Sequence, residues 1–104
     1  MRRGEIWWAQ LDPLAGRRPV VLLSRNEAYT VRSLVIVAPI TTRIRGIASE
    51  VPLGSSDGMT RDCVANLDAI TTMPKDCLRG RAAVLSPEKT RVVDAAVRFA
   101  LGLD

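Results

Sequence analysis

Two stretches of this chain are apolar at consecutive rather than alternate positions, and they constrain its fold more than any other feature. "PVVLL" (19–23) and "SLVIVAPI" (33–40) are rich in β-branched residues and too short for typical helices. Both read as strands, and the second fits one that is central in a sheet or buried on both faces. The first predicts a strand from about Arg18 to Ser24. Around these runs, "GEIWWAQLD" (4–12) is a strand of partly alternating pattern, followed by a turn at "PLAG" (13–16). "ASEVPL" (48–53) is a shorter strand whose proline places it at an edge. "GSSDGM" (54–59) is turn chemistry bending at Asp57-Gly58, "DCVANLDAITTM" (62–73) is one bent strand or two, and "GRAAVLS" (80–86) is the last strand. The period then changes. Val92, Val93, Ala96, Val97, Ala100 and Leu101 recur at helical spacing, with Ser86 as N-cap, Pro87 at the first helical position, Glu88 favouring the dipole and Gly102 ending the helix. The expected fold is a single domain over 1–104, mainly β (α+β): a small barrel of about five to seven strands closed by a C-terminal helix.

Composition narrows the function. The chain carries a net charge of +4, and among its 15 cationic side chains only Lys75 and Lys89 are lysines. Arginine is suited to bidentate phosphate or carboxylate contacts, so a nucleic acid or an acidic peptide is the favoured partner, although a GC-rich genome enriches arginine as well. No segment approaches the ~18 apolar residues of a membrane span, and Glu5 and Asp12 interrupt any leader-like apolar core in "MRRGEIWWAQLD". A cytoplasmic protein is expected, with Cys63 and Cys77 as free thiols; a disulfide between them fits the count but not that compartment. The chain has no histidine. That removes Ser–His–Asp and Cys–His catalysis and argues against a zinc site, so no metal and no cofactor are expected. No phosphate-binding glycine loop is present, the acids fall singly, and Cys63 sits inside a strand pattern as a core thiol.

Two polar clusters remain. Arg17, Arg18, Ser24, Arg25 and Asn26 flank the first apolar run, and Thr41, Thr42 and Arg43 follow the second. Pro19 fixes its own φ and biases Arg18 towards an extended backbone. If strand ends converge, these hydroxyl and guanidinium groups meet one phosphate; otherwise the threonines end a strand and the arginines are solvated. Residue types admit both readings. Trp7 and Trp8 point to opposite faces of a strand, so one at most is core, and the other suits a core edge, a dimer contact or base stacking.

The order of pieces "RGEIWWAQLDP", "RRPVVLLSRN", "VIVAPITT", "EVPL", "DCVANLDAITTMPK" and a helix ending "ALGL" resembles the MazF/PemK toxins of bacterial type II toxin–antitoxin systems across essentially the whole chain. The resemblance implies an SH3-like barrel of the CcdB/MazF type and a homodimer in the bacterial cytoplasm. It implies metal-independent, sequence-selective cleavage of single-stranded RNA, with inhibition of translation and growth, and a cognate MazE-like antitoxin with an acidic, disordered C-terminal tail. It makes Arg18 and Thr41 the catalytic pair, with Arg17, Ser24, Arg25, Asn26, Thr42, Arg43 and Asp68 as the expected RNA-binding set. The chemistry it implies is attack by the ribose 2′-hydroxyl on the adjacent phosphate, giving 2′,3′-cyclic phosphate and 5′-hydroxyl ends. No residue is assigned as general base, because an arginine pKa above about 12 does not suit one.

The sequence departs from that pattern in two places. Members commonly carry a longer Gly-Ser-Glu loop before the Arg-Pro motif, where this chain has only "PLAG" and Arg17, and many have Arg at the position of Thr71. Two other functions compete with a nuclease. Gyrase-binding toxins of the same fold depend on an aromatic near the C-terminus, whereas here Phe99 lies within the helical stripe. A plain RNA-binding barrel needs more exposed aromatics than Trp7, Trp8 and Tyr29 supply.

Overall fold

Both apolar runs become interior strands. The computed structural model describes residues 1–10, 12–14 and 16–103. Its elements are β1 (Glu5–Ala9), β2 (Arg18–Leu22), α1 (Ala28–Val31), β3 (Leu34–Thr41), β4 (Glu50–Leu53), β5 (Cys63–Asn66), β6 (Thr71–Pro74), β7 (Leu78–Val84) and α2 (Pro87–Leu101). The seven strands pair antiparallel in the order β4-β5-β3-β2-β1-β7, and β6 joins the first half of β3. No ladder joins β4 to β7 among the described residues. The barrel is therefore partly open, and α2 covers the gap by packing Val93 and Ala96 with Ile6, Val51 and Leu53.

The consecutive apolar pattern has a direct cause: the sheet has a core on each face. Val21 packs with Ile6, Ala38, Val51 and Leu67, while its neighbours Val20 and Leu22 pack with Ala9, Tyr29, Val35, Val37 and Met73. Each such side chain contributes about 1.5–3 kcal/mol when fully buried. β3 departs from uniform burial, since Leu34 and Ile36 are exposed whereas Val35 and Val37 are fully buried. The face of Ala38 and Ile40 is covered by β4, β5 and α2 only towards the C-terminal end of β3.

Local signals are used largely as the residues dictate. Ser86 Oγ accepts from the Lys89 N–H at 3.0 Å, Pro87 opens α2, and Gly102 closes it at φ 71°. Lys89 Nζ donates to the Pro52 carbonyl at 2.9 Å, and Arg3 pairs with Asp94 at 2.7 Å, so β4 and the N-terminal segment are both tied to this helix. β4, with Pro52, is an edge strand. The 62–73 stretch divides into β5 and β6 around a 3₁₀ turn at Leu67–Ala69, where Asn66 Oδ1 accepts from the Asp68 N–H at 3.0 Å. β7 starts two residues before Gly80, and β1 ends at Ala9. Leu11 of the expected first strand and Ala15 of the expected turn lie outside the described residues. The short α1 was not expected; Tyr29 anchors it, donating its hydroxyl to the Ser24 carbonyl at 3.1 Å. No helix among the described residues is long and apolar enough to cross a membrane.

Candidate catalytic groove

Antiparallel register decides which polar ends meet. Val20 lies opposite Pro39 and Val21 opposite Ala38, so continuing the ladder brings Arg18, first in β2, opposite Thr41, last in β3. Both line a groove of about 720 Å³, together with Arg17 and Thr42. Thr41 Oγ1 accepts from the Arg43 N–H at 3.1 Å, which fixes the hydroxyl oxygen and leaves its proton for a ligand in the groove. β1 adds Trp8, paired opposite Pro19, and β7 adds Arg81. Gly58, Met59, Thr60 and Arg61 form a further wall.

That wall is built by a glycine and an ion pair. Gly58 has φ 87°, and a Cβ there would stand 2.9 Å from Ala83 Cβ, so only glycine lets the segment lie against β7. Asp57 Oδ2 accepts from the Gly54 N–H at 3.0 Å and lies 3.6 Å from Lys89 Nζ, which secures the preceding turn. The groove thus presents four guanidinium groups and three threonines, with no acid among its described lining residues.

Arg81 is held from behind. Its Nη1 lies 3.3 Å from Oε2 of the buried Glu5, whose Oε1 accepts from Trp7 Nε1–H at 2.8 Å and from the Arg2 N–H at 3.1 Å. Burial pushes the Glu5 carboxyl up, but the bonds from Trp7, Arg2 and Arg81 outweigh it and hold the group below the usual carboxylate range. Trp7 packs at the edge of one core, while Trp8 is 38% exposed and faces the groove. Cys63 and Cys77 are free thiols. Cys63 is buried, and burial, with Asp57 and Asp62 nearby, pushes its thiol up, so it is a core group rather than a nucleophile.

The structure brings together Arg17, Arg18, Thr41 and Thr42, and separates the other expected residues from them. Ser24, Arg25 and Asn26 follow the far end of β2; at ~3.3 Å per strand residue, Ser24 stands about 20 Å from Arg18. Ser24 is buried, its Oγ accepting from the Ile36 N–H at 2.8 Å, and Asn26 Oδ1 accepts from the Arg3 N–H at 2.6 Å. Arg43 follows Thr42 but does not line the groove. Asp68 accepts from Ser49 Oγ and so closes the loop before β4, beside Glu50, which accepts from the Arg45 and Gly46 N–H groups. Sequence reading did not single out Met59, Thr60, Arg61 or Arg81.

Residues 2–101 match the family model described as PemK-like, MazF-like toxin of type II toxin–antitoxin system. The chain belongs to this toxin family. Among MazF relatives, it is 40% identical over 100 residues to a protein named probable endoribonuclease MazF5 of Mycobacterium tuberculosis, an alignment spanning 95% of this chain and 91% of that one. The structure of Mycobacterium tuberculosis toxin MazF-mt6 superposes with a TM-score of 0.87 at 34% identity, over 96% of this chain and 98% of the other. A mycobacterial endoribonuclease solved in complex with its cognate antitoxin gives a TM-score of 0.87 at 29% identity, covering 100% and 97% of the two chains. The seven-stranded antiparallel sheet with its C-terminal helix is thus the MazF fold.

Proposed function

We propose that this MazF-family chain is a toxin endoribonuclease that cleaves single-stranded RNA by transesterification in the groove described above. The observation that carries the reading is the placement of Arg18 and Thr41 at facing ends of β2 and β3, within one arginine-lined groove. The ribose 2′-hydroxyl attacks the adjacent phosphorus, the P–O5′ bond breaks, and the products are a 2′,3′-cyclic phosphate and a 5′-hydroxyl. DNA lacks that nucleophile, which makes the reaction selective for RNA. Arg18 supplies two parallel donors to the phosphorane oxygens, and the Thr41 hydroxyl donates to the same centre. Arg17, Arg61 and Arg81 attract the flanking phosphates, and Trp8 offers a face for a base.

The same charge suits an acidic antitoxin tail that folds as it binds and covers the phosphate site, so the two ligands are mutually exclusive. A homodimer, with two such grooves related by a two-fold axis, completes the assembly; light scattering is expected to give twice the chain mass.

The test is cleavage of a long RNA by the purified protein in EDTA, with end mapping. Arg18→Ala and Thr41→Val each lower the rate at least 10²-fold, the order of magnitude lost with one oxyanion donor. Arg18→Lys rescues only in part, because an ammonium lacks the planar fork. Arg18 is exposed and Thr41 half-buried, so melting temperatures stay close to the parent's. An Arg18→Ala protein that cuts at the parental rate refutes the assignment.

A further inference from the structure

A second cavity, of about 200 Å³, opens on the opposite face of the sheet from the groove. Arg18 lines both cavities, whereas Thr41 lines only the groove. The end of β2 is thus a partition, and the guanidinium proposed to hold the scissile phosphate borders each side of it. The floor of the second cavity is Val20, Val37 and Met73, all buried members of one core. Asp12 and the exposed Thr71 supply its polar lining. Asp12 Oδ1 accepts from the Leu14 N–H at 2.9 Å, and its other oxygen has no protein partner among the described residues.

Size and chemistry narrow the occupant. The volume lies below the roughly 300 Å³ at which sites for drug-sized ligands begin, so one ring system fits and a whole nucleotide does not. Apolar walls suit the faces of a flat ring, and single-stranded RNA is read by splaying bases into such pockets and bonding their edges. Because Arg18 is shared, a base entering here belongs to a nucleotide next to the phosphate that Arg18 holds.

We infer that this cavity receives one base of the RNA, adjoining the phosphate at Arg18, and that Asp12 selects a base bearing an exocyclic amino group over uracil. The inference rests on the RNA-cleavage reading for its biological setting. A carboxylate accepts from the amino group of cytosine, adenine or guanine, and it repels the O4 carbonyl that uracil presents instead. Thr71 has a hydroxyl able to donate to a neighbouring ring atom.

The experiment measures binding, so it reports on the pocket independently of cleavage. Uncleavable single-stranded 2′-deoxy oligomers, each differing only by deoxycytidine or deoxyuridine at one position, are titrated against the parent protein, Asp12→Asn and Thr71→Tyr. The parent is expected to favour cytosine about tenfold at a single position, the discrimination of one good base-edge contact. Asp12→Asn keeps an acceptor for the Leu14 N–H but adds a donor for O4, which brings that preference within about twofold and leaves other positions unchanged. Thr71→Tyr, on an exposed strand position, blocks the cavity without disturbing the core and abolishes the same preference. A parent with no such position, or an Asp12→Asn protein with the parental profile, overturns the inference. Cleavage of RNA by the same preparations reports separately on the nuclease reading, so each failure is recognisable as its own.

Discussion

Replacing Glu5 by glutamine tests whether a buried carboxylate organises the β1–β7 side of the groove. The side chain is nearly closed to solvent and accepts from Trp7 Nε1–H, the Arg2 N–H and Arg81 Nη1 at 2.8, 3.1 and 3.3 Å. A hydrogen bond to a charged group is worth about 1.5–3 kcal/mol and a neutral one about 1, so the two contacts to Oε1 lose about 0.5–2 kcal/mol each. Arg81 is 58% exposed, and screening limits its pair to ~1 kcal/mol or less. The amide no longer buries a charge, which offsets part of the loss, and the net expectation is about 2 kcal/mol, or roughly 8 °C in Tm for a chain of this size. The pH dependence gives the sign. Glu5 titrates below its ordinary 4.5 in the folded state, so its contribution is present above that value and disappears as pH falls through the lower folded pKa. Urea unfolding from pH 3 to 7 is the assay: the parent loses stability on the acid side, and Glu5→Gln is weaker at pH 7 with a shallower acid limb. A variant within 0.5 kcal/mol of the parent at pH 7, or one with an unchanged acid limb, refutes the reasoning (a threshold set by the ~0.5 kcal/mol scatter of surface substitutions).

Gly58→Ala places a methyl group 2.9 Å from Ala83 Cβ at φ 87°, at a cost of about 2 kcal/mol, and lifts the Met59–Arg61 wall; RNA binding measured by titration weakens more than single-turnover cleavage slows. Tyr29→Phe loses the bond to the Ser24 carbonyl, about 1 kcal/mol in urea unfolding at pH 7. Burial pushes the Tyr29 hydroxyl from 10.0 up to about 12, so the parent also loses stability as pH rises between these values, and Tyr29→Phe lacks that loss. An acidic peptide competes with RNA for the groove, and its affinity measured by calorimetry falls as salt rises; indifference to salt contradicts a charge-led contact.

What the sequence made legible depended on the range of each signal. The caps of α2 could be read because Ser86, Pro87 and Gly102 act within a turn of their own positions. Pro52 marked an edge strand because a missing donor is a local fact. Arg18 and Thr41 could be paired, through family resemblance, although no spacing rule links residues 23 positions apart in sequence. Ser24, Arg25 and Asn26 were grouped with Arg18 by proximity along the chain, yet a strand keeps its two ends apart. The burial of Glu5 was not legible, because its partners are the Trp7 side chain two residues on and Arg81, 76 positions away in sequence on the neighbouring strand. The four residues of α1 show no period of their own, and burial of Ala28 and Tyr29, with Tyr29 packed against β2 and β3, holds them as a helix.

Pro19 in the groove and Pro39 in the second cavity bear on why the proposed chemistry belongs at this end of the sheet. Pro19 is second in β2 and Pro39 lies opposite Val20, so adjacent strands each lack one backbone donor close to Arg18 and Thr41. A proline in the middle of a central strand ordinarily weakens the ladder. Here the loss falls at the margin where the strands end, while Val21, Leu22, Val35 and Val37 keep the rest of both strands buried. In exchange, φ is fixed at Pro19 and the backbone of Arg18 is biased towards extension before any ligand arrives. A guanidinium carried on such a backbone loses less freedom on meeting a phosphate than one on a loop, and donors already in position are what stabilise a transition state. The arrangement also ties the requirements of folding to those of the proposed catalysis. The cores on both faces need Val20 and Val21 to stay in register, and that same register carries Arg18 to Thr41. A slip of one residue would exchange the two cores and part the pair together.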